Sequence, residues 1–247
     1  MRKTVLLLGL LWASPALSAE LLVNGNFETG DYTGWTTSTQ AGSAGSLNID
    51  TPGTTTPISG GATAPNASGG SYYSVTDQTG PGAYSLTQLF TVAAGTTSLN
   101  LSFEMFANNY DGVVFVDPAG LDYTAQPNQH ARVDLLTAGA DPFSTSPADV
   151  IANFYLGSDP VAGANPYTSY SFDILSLITP GQSYQVRFGE VDNQLFFNMG
   201  VDNVSILATT GAVPEPATWA MMLFGFGAIG VAMRTRRRRK SLRTQLA

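Results

Sequence analysis

The sequence predicts an all-β sandwich over residues 20–207, set between two terminal segments of different character. Three observations predict it. The stretch 20–207 shows apolar–polar alternation and no long run of 3.6 periodicity. Turn-forming pairs interrupt it at short intervals. Gly (26) and Pro (14) are plentiful, while Asp, Glu, Lys and Arg together make only 12%, which fits compact strands joined by polar loops. Many short strands with polar turns point to a sandwich or barrel and exclude βαβ units.

The clearest strand is Ser98–Phe106, where Leu99, Leu101, Phe103 and Met105 fall on one face and Asn100, Ser102 and Glu104 on the other. In Ser183–Gly189, Tyr184, Val186 and Phe188 alternate with Gln185, Arg187 and Gly189, so Arg187 points away from the apolar face. The remaining strands, in chain order, are Tyr72–Val75, Tyr84–Phe90, Val113–Val116, Arg132–Leu136, Ile151–Leu156, Tyr170–Ile174 and Gly200–Leu207. Pro81-Gly82, Asp111-Gly112, Asp117-Pro118, Asp141-Pro142, Asp159-Pro160 and Pro180-Gly181 supply the turns. Residues 51–70 (TPGTTTPISGGATAPNASGG) are low-complexity and form a long loop. A domain of about 190 residues buries a sizeable core without disulfides, in keeping with the absence of Cys.

The two ends are addressing signals. Residues 1–19 form a secretory signal peptide: Arg2 and Lys3, the nine-residue apolar run Val5–Ala13, Pro15, then the small-residue site Ala16-Leu17-Ser18-Ala19. Cleavage is expected after Ala19, with Ser18 as the other position. After the linker 208–213, Ala217–Met233 carries 17 uncharged residues, a helix of about 25 Å, near the lower limit for a bilayer. Pro216 precedes it at a position that needs no N–H, and a basic tail, 234–243, follows. Cationic flanks stay on the cytoplasmic side, so residues 20–216 are exported as one loop. Gly225-Phe226-Gly227-Ala228-Ile229-Gly230 matches a dinucleotide fingerprint but lacks its strand and its acidic partner. These glycines suit close packing in a membrane helix.

Val213-Pro214-Glu215-Pro216, the apolar run and the Arg cluster together resemble the PEP-CTERM sorting signal of Gram-negative bacteria, over residues 214–240. The resemblance implies an exosortase, a membrane-embedded transpeptidase that recognises Pro214, Glu215 and Pro216 and cuts near them. It also implies bacteria that make exopolysaccharide. On the residues alone, Pro-Glu-Pro is a stiff extended segment that suits a peptide groove, and equally a plain stop before a helix.

A second resemblance spans the exported domain. Leu22-Val23-Asn24-Gly25-Asn26-Phe27-Glu28 followed by Gly34-Trp35, then Gln88-Leu89-Phe90 with Ala94-Gly95, and finally Gly200-Val201-Asp202-Asn203-Val204-Ser205-Ile206 resemble carbohydrate-binding modules of the galactose-binding-like type. The resemblance implies a two-sheet jelly roll with a structural Ca²⁺ near its first and last strands. Its metal ligands map to Glu28 and Asp202, with a main-chain carbonyl near Asn26. The sequence adds its own argument. Asp202 shares parity with Val204 and Ile206 and would face inward in an unbroken strand. A buried carboxylate needs a partner. Either a divalent cation shared with Glu28 or backbone N–H groups of a turn would serve.

Other residues point elsewhere. All 18 acidic residues lie between Glu20 and Glu215, and the stretch 20–216 keeps only Arg132 and Arg187, a formal charge of −16. Nucleic-acid binding is excluded for this stretch, because phosphate contacts need clustered cations. No Cys and a single His, His130, exclude thiolate and multi-His zinc sites. His130 is expected at the surface, and Asp117, Asp122 and Asp134 as a solvated rim. Asn109-x-Asp111-Gly112 and Glu190-Val191-Asp192-Asn193 are expected to be turns. Trp35, Tyr110, Tyr123, Tyr155 and Tyr167 suit core or edge packing better than sugar stacking. No catalytic motif occurs, so a non-catalytic surface or matrix protein that binds glycan or serves as a structural unit leads. A polysaccharide-acting enzyme and a ligand-free calcium-stabilised domain are the competing readings.

Overall fold

In the computed structural model, residues 16–53, 55–60, 69–110, 120–125, 127–157 and 165–211 are described. So is the helix 216–244, with side chains from 220 to 234. Eleven strands follow in chain order: β1 Leu17–Glu20, β2 Thr36–Thr39, β3 Gly45–Asp50, β4 Tyr73–Gln78, β5 Gly82–Thr91, β6 Thr96–Asn109, β7 His130–Thr137, β8 Val150–Gly157, β9 Thr168–Asp173, β10 Ser183–Asp192 and β11 Phe197–Thr210. One sheet has the order β3-β4-β11-β6-β9, with β1 also paired to β11. The other has the order β2-β5-β10-β7-β8. The domain is an all-β two-sheet sandwich.

The alternation seen in the sequence builds the core. Leu99, Leu101, Phe103 and Met105 of β6 face Val186 and Phe188 of β10 across the gap between the sheets, all at most 2% exposed. Trp35 joins them at 5.6 Å from Phe27 and 6.2 Å from Phe188 between ring centres. The predicted strands at 72–106, 132–174 and 183–207 appear, most with longer ends, although β4 starts at Tyr73 and β9 stops at Asp173, each one residue inside its expected bound; Val113–Val116 lies outside the described residues. Three strands were not expected. β2 (TTST) has no apolar face to reveal it, β3 (GSLNID) is half-buried throughout, and β1 begins at Leu17, inside the expected signal peptide. β11 runs to Thr210, three residues into the expected linker.

The segment 51–70 is a loop where it is described, yet part of it is pinned. Thr56 is buried, and the Ile58 and Ser59 N–H groups donate to Asp77 at 2.5 and 2.9 Å. Loop residues cover the outer face of the second sheet as well. Leu121 packs on Ala83 and Val191, with Tyr123 and Phe143 against them.

The helix Pro216–Thr244 is a unit separate from the sandwich, Ser18–Thr210. Met221, Leu223, Phe224 and Phe226 of the helix are each more than two-thirds exposed. Among the described residues, no helix is long and apolar enough to cross a membrane.

Candidate functional site

Asp202 owes its position to a break in β11. The pairing of β11 with β6 shifts between Asp202 and Ser205, and Asn203 adopts φ 50°. A β-bulge inserts residues and reverses side-chain parity beyond it. Val201 and Val204 therefore both reach the core, and Asp202 turns to the opposite face of the sheet. The inward placement expected for Asp202 is thus corrected: the strand is not unbroken. The bulge is held by the turn Asn24–Phe27, whose Gly25 carbonyl accepts the Val204 N–H at 2.8 Å. A Cβ on Gly25 would stand 1.8 Å from the Val204 oxygen, so only glycine permits this approach.

On that outer face Asp202 is nonetheless fully buried, beside the cluster Tyr73, Val75 and Phe106. Its Oδ1 accepts the Asn203 N–H at 2.7 Å, while Oδ2 has no hydrogen-bond partner. Burial pushes its carboxyl up to about 7; the charges of Glu104 and Glu28 add to the rise and the Asn203 N–H opposes it. Glu28 is held by the Ser71 and Tyr72 N–H groups, which donate to Oε1 at 2.7 and 3.0 Å. Glu104 accepts from Asn203 Nδ2 at 2.9 Å and from the Ser169 hydroxyl at 3.0 Å. Asn26 turns its side chain back to the Glu28 N–H at 3.5 Å and lines a cavity of about 330 Å³ where the turn meets the bulge.

The structure thus brings Glu28 and Asp202 within electrostatic reach, with Asn26 two residues from Glu28. Hard oxygens and one orphaned buried carboxylate oxygen fit a calcium ion. Among the described residues, no group of three or more His, Cys, Asp or Glu side chains is arranged to hold a metal.

Several other expectations change. Arg187 does point away from the core, but it is fully buried, because the loop after β7 folds over it. It donates to Asp134 Oδ2 at 2.6 Å and to the carbonyls of Pro142 and Ser144 at 3.1 and 2.6 Å. Asp134 is accordingly no solvated rim residue. Arg132 also binds it, through two bonds of 2.7 and 2.8 Å. Burial raises the Asp134 carboxyl, but the Arg132 hydrogen bonds and both guanidinium charges outweigh this and hold it below its ordinary value. His130 is not at the surface either; it is fully buried, with Nδ1 at 3.0 Å from Asn128 Oδ1. Asp122 forms a local turn, accepting from the Thr124 N–H and hydroxyl and from Gln40. Asp111, Asp117, Pro214 and Glu215 lie outside the described residues.

Glu190 and Asp192 belong to β10 itself and not to a turn. They continue the inward row Val186, Phe188 and are buried at one end of the sandwich. The same parity is present in the sequence for a strand that runs three residues beyond Gly189. Gln78 Nε2 lies 3.0 Å from both Glu190 Oε1 and Asp192 Oδ2.

No curated protein matches the chain. Among solved structures, it is similar to TmCBM61 in complex with β-1,4-galactotriose, at 12% identity over 76% of this chain and 97% of that one, with a TM-score of 0.48. The K1 cleaved adhesin domain of Lys-gingipain from Porphyromonas gingivalis W83 shares 15% identity over 78% and 97%, with a TM-score of 0.44. The CBM22-1 xylan-binding domain of Xyn10C from Paenibacillus barcinonensis shares 12% over 81% and 98%, with a TM-score of 0.39. The specific match lies at the other end of the chain, where residues 212–238 carry a PEP-CTERM protein-sorting motif.

Proposed function

We propose that the chain is an exported, membrane-anchored surface protein that an exosortase processes at Pro214-Glu215-Pro216. Its sandwich acts as a non-catalytic module, binding polysaccharide or serving as a structural unit of the extracellular matrix or biofilm. The observation that carries this reading is the sorting motif at 212–238. The apolar run 217–233 then contacts membrane lipid, and the uncovered apolar side chains of the helix support that placement. The ectodomain lies in the periplasm first, and at the cell surface or outside after processing. Its acidic composition opposes nucleic acid as a partner.

Glu190 has no exposed surface, which supports reading the Glu190–Asp192 pair as something other than a glycosidase pair. A structural Ca²⁺ at Glu28, Asp202 and a carbonyl near Asn26 forms part of the proposal, supported by the orphaned Asp202 oxygen. If so, calcium raises the melting temperature and Asp202→Ala removes the gain; a melting curve unchanged by chelator refutes it.

The deciding experiment is the mass of the mature protein in membrane and secreted fractions, with and without the transpeptidase. A product ending near Pro214 only in its presence is expected. An intact C-terminus in both strains overturns the reading. Glycan-array binding then separates a glycan-binding module from a structural one, and turnover of the producer's own exopolysaccharide would instead mark an enzyme.

A further inference from the structure

We propose that the buried end of the sandwich holds a second calcium ion, bound by Glu190, Asp192, the Gln78 side-chain carbonyl and the Tyr84 hydroxyl. This site is independent of the Glu28–Asp202 edge and of the sorting motif.

Donors and acceptors are mismatched around Gln78. The Gln78 amide nitrogen has two hydrogens. It faces three oxygens: Glu190 Oε1 and Asp192 Oδ2, each at 3.0 Å, and the Phe197 carbonyl. Meanwhile its own carbonyl, Oε1, is buried without a partner. Turning the amide over exchanges the two atoms without changing the shape of the side chain. Oxygen atoms then converge on one place from three strands, an arrangement that repels itself unless a cation occupies it.

A further oxygen lies beside this cluster. The Tyr84 hydroxyl is fully buried and unpartnered. Glu190, Asp192 and Asp77 are the charges that act on it, in that order. The backbone opens around it: a Cβ on Gly82 would stand 2.1 Å from this hydroxyl and one on Gly45 2.6 Å from it. Gly82 also donates its N–H to Asp192 Oδ1 at 3.0 Å, which fixes that carboxylate beside the phenol. Glu190 Oε2 adds another buried oxygen without a hydrogen-bond partner.

The two cations of the exported stretch lie elsewhere. Arg132 and Arg187 are committed to Asp134 on the far face of the same sheet. Asp77 adds negative charge but no ligand, since Ile58 and Ser59 already fill its oxygens. A cavity of about 430 Å³, lined by Gln78 and Asp192, gives an ion its way in. Two carboxylates with neutral amide, phenol and carbonyl oxygens form a hard, irregular donor set. Ca²⁺ accepts such a set, whereas Mg²⁺ demands a regular octahedron.

The rival way to neutralise the pair is a proton, and the experiment separates the two. The full chain carrying Asp202→Asn, stripped with chelator and kept in detergent, is titrated with CaCl₂ by calorimetry. It is expected to bind one equivalent. Glu190→Gln and Asp192→Asn, each added to that background, are expected to lose it while far-UV circular dichroism stays that of the parent. Should both fail to fold, Tyr84→Phe keeps the ring packing and removes only the hydroxyl, and it is expected to weaken calcium several-fold. Calcium binding undiminished in these variants overturns the proposal, as does the absence of calcium binding in the Asp202→Asn chain. Either result leaves sorting at 212–238 untouched.

Discussion

Strand β10 presents two buried charge systems on opposite faces, and they solve the same problem differently. On the outer face Asp134 is enclosed completely, yet two guanidinium groups and the Asn153 amide meet its oxygens. On the inner face Glu190 and Asp192 meet neutral groups alone: the Gln78 amide between them, the Gly82 N–H on Asp192 and the Thr76 hydroxyl beside Glu190. Burial raises all three carboxyls, but only Asp134 ends below its ordinary value. Asp192 is pushed up to about 7, and burial followed by the Asp192 charge raises Glu190 well above its usual range. Pairing, not depth, decides whether a buried carboxylate remains charged.

The largest expected effect breaks the outer system. Arg187→Met leaves Asp134 short of one cation and should cost about 3–5 kcal/mol in urea unfolding at pH 7. Replacing Asp134 with Leu in the same chain should recover part of that loss, because no charge is then stranded. A loss below about 1 kcal/mol in the single variant would show that the pair is not an energetic unit.

The inner system should respond to pH in the opposite sense. The folded chain retains a proton on Asp192 that the unfolded chain releases near 3.8. Stability should therefore fall as pH rises from about 3.8 to about 7, where the folded carboxyl ionises. Asp134, held low, acts the other way and weakens the fold only as pH drops through its folded value. Asp192→Asn should flatten the decline by about 4 kcal/mol across the window, read from unfolding midpoints at stepped pH in chelator. Saturating calcium should flatten it too, since an ion takes the place of the proton. A wild-type chain whose stability is level between pH 4 and 7 in chelator would contradict the uncompensated state of the pair.

Asp202 stands between these cases, and it marks where the sequence stops being readable. Alternation in 98–106 and 183–189 placed two central strands and most of the core correctly, because a half-buried strand must alternate. The same rule misplaced Asp202. Parity survives only along an unbroken strand, and the left-handed Asn203 that breaks it is a backbone property without an apolar signature. Parity aims Arg187 correctly, away from the apolar face, but cannot show its burial, because its cover is a loop more than forty residues earlier in the chain. Glu190 and Asp192 read as a turn in the sequence because the apolar alternation stops at Gly189, whereas β10 runs on to Asp192. Asn203→Val tests the bulge: a β-branched residue at φ 50° should cost about 1–2 kcal/mol, whereas Asn203→Gly should be tolerated. If Val is accepted without loss, the bulge does not govern where Asp202 points.

The smallest expected effect isolates one amide on each face of β10. Asn153 Nδ2 meets three acceptors, as Gln78 Nε2 does: Asp134 Oδ1 at 2.8 Å, the Tyr155 carbonyl at 2.8 Å and the Val133 carbonyl at 3.2 Å. It sits where the pairing of β7 with β8 slips between Val133 and Asp134. Here the crowding is harmless, for two reasons. Asn153 is exposed, so water can serve whichever oxygen its two hydrogens leave. Asp134 also keeps both guanidinium groups. Asn153→Ala should therefore cost only about 1 kcal/mol, the net worth of an ordinary hydrogen bond, and the cost should be the same in calcium and in chelator. A calcium-dependent penalty at Asn153 would mean that the two faces are coupled through β10, and the contrast between them would need another cause.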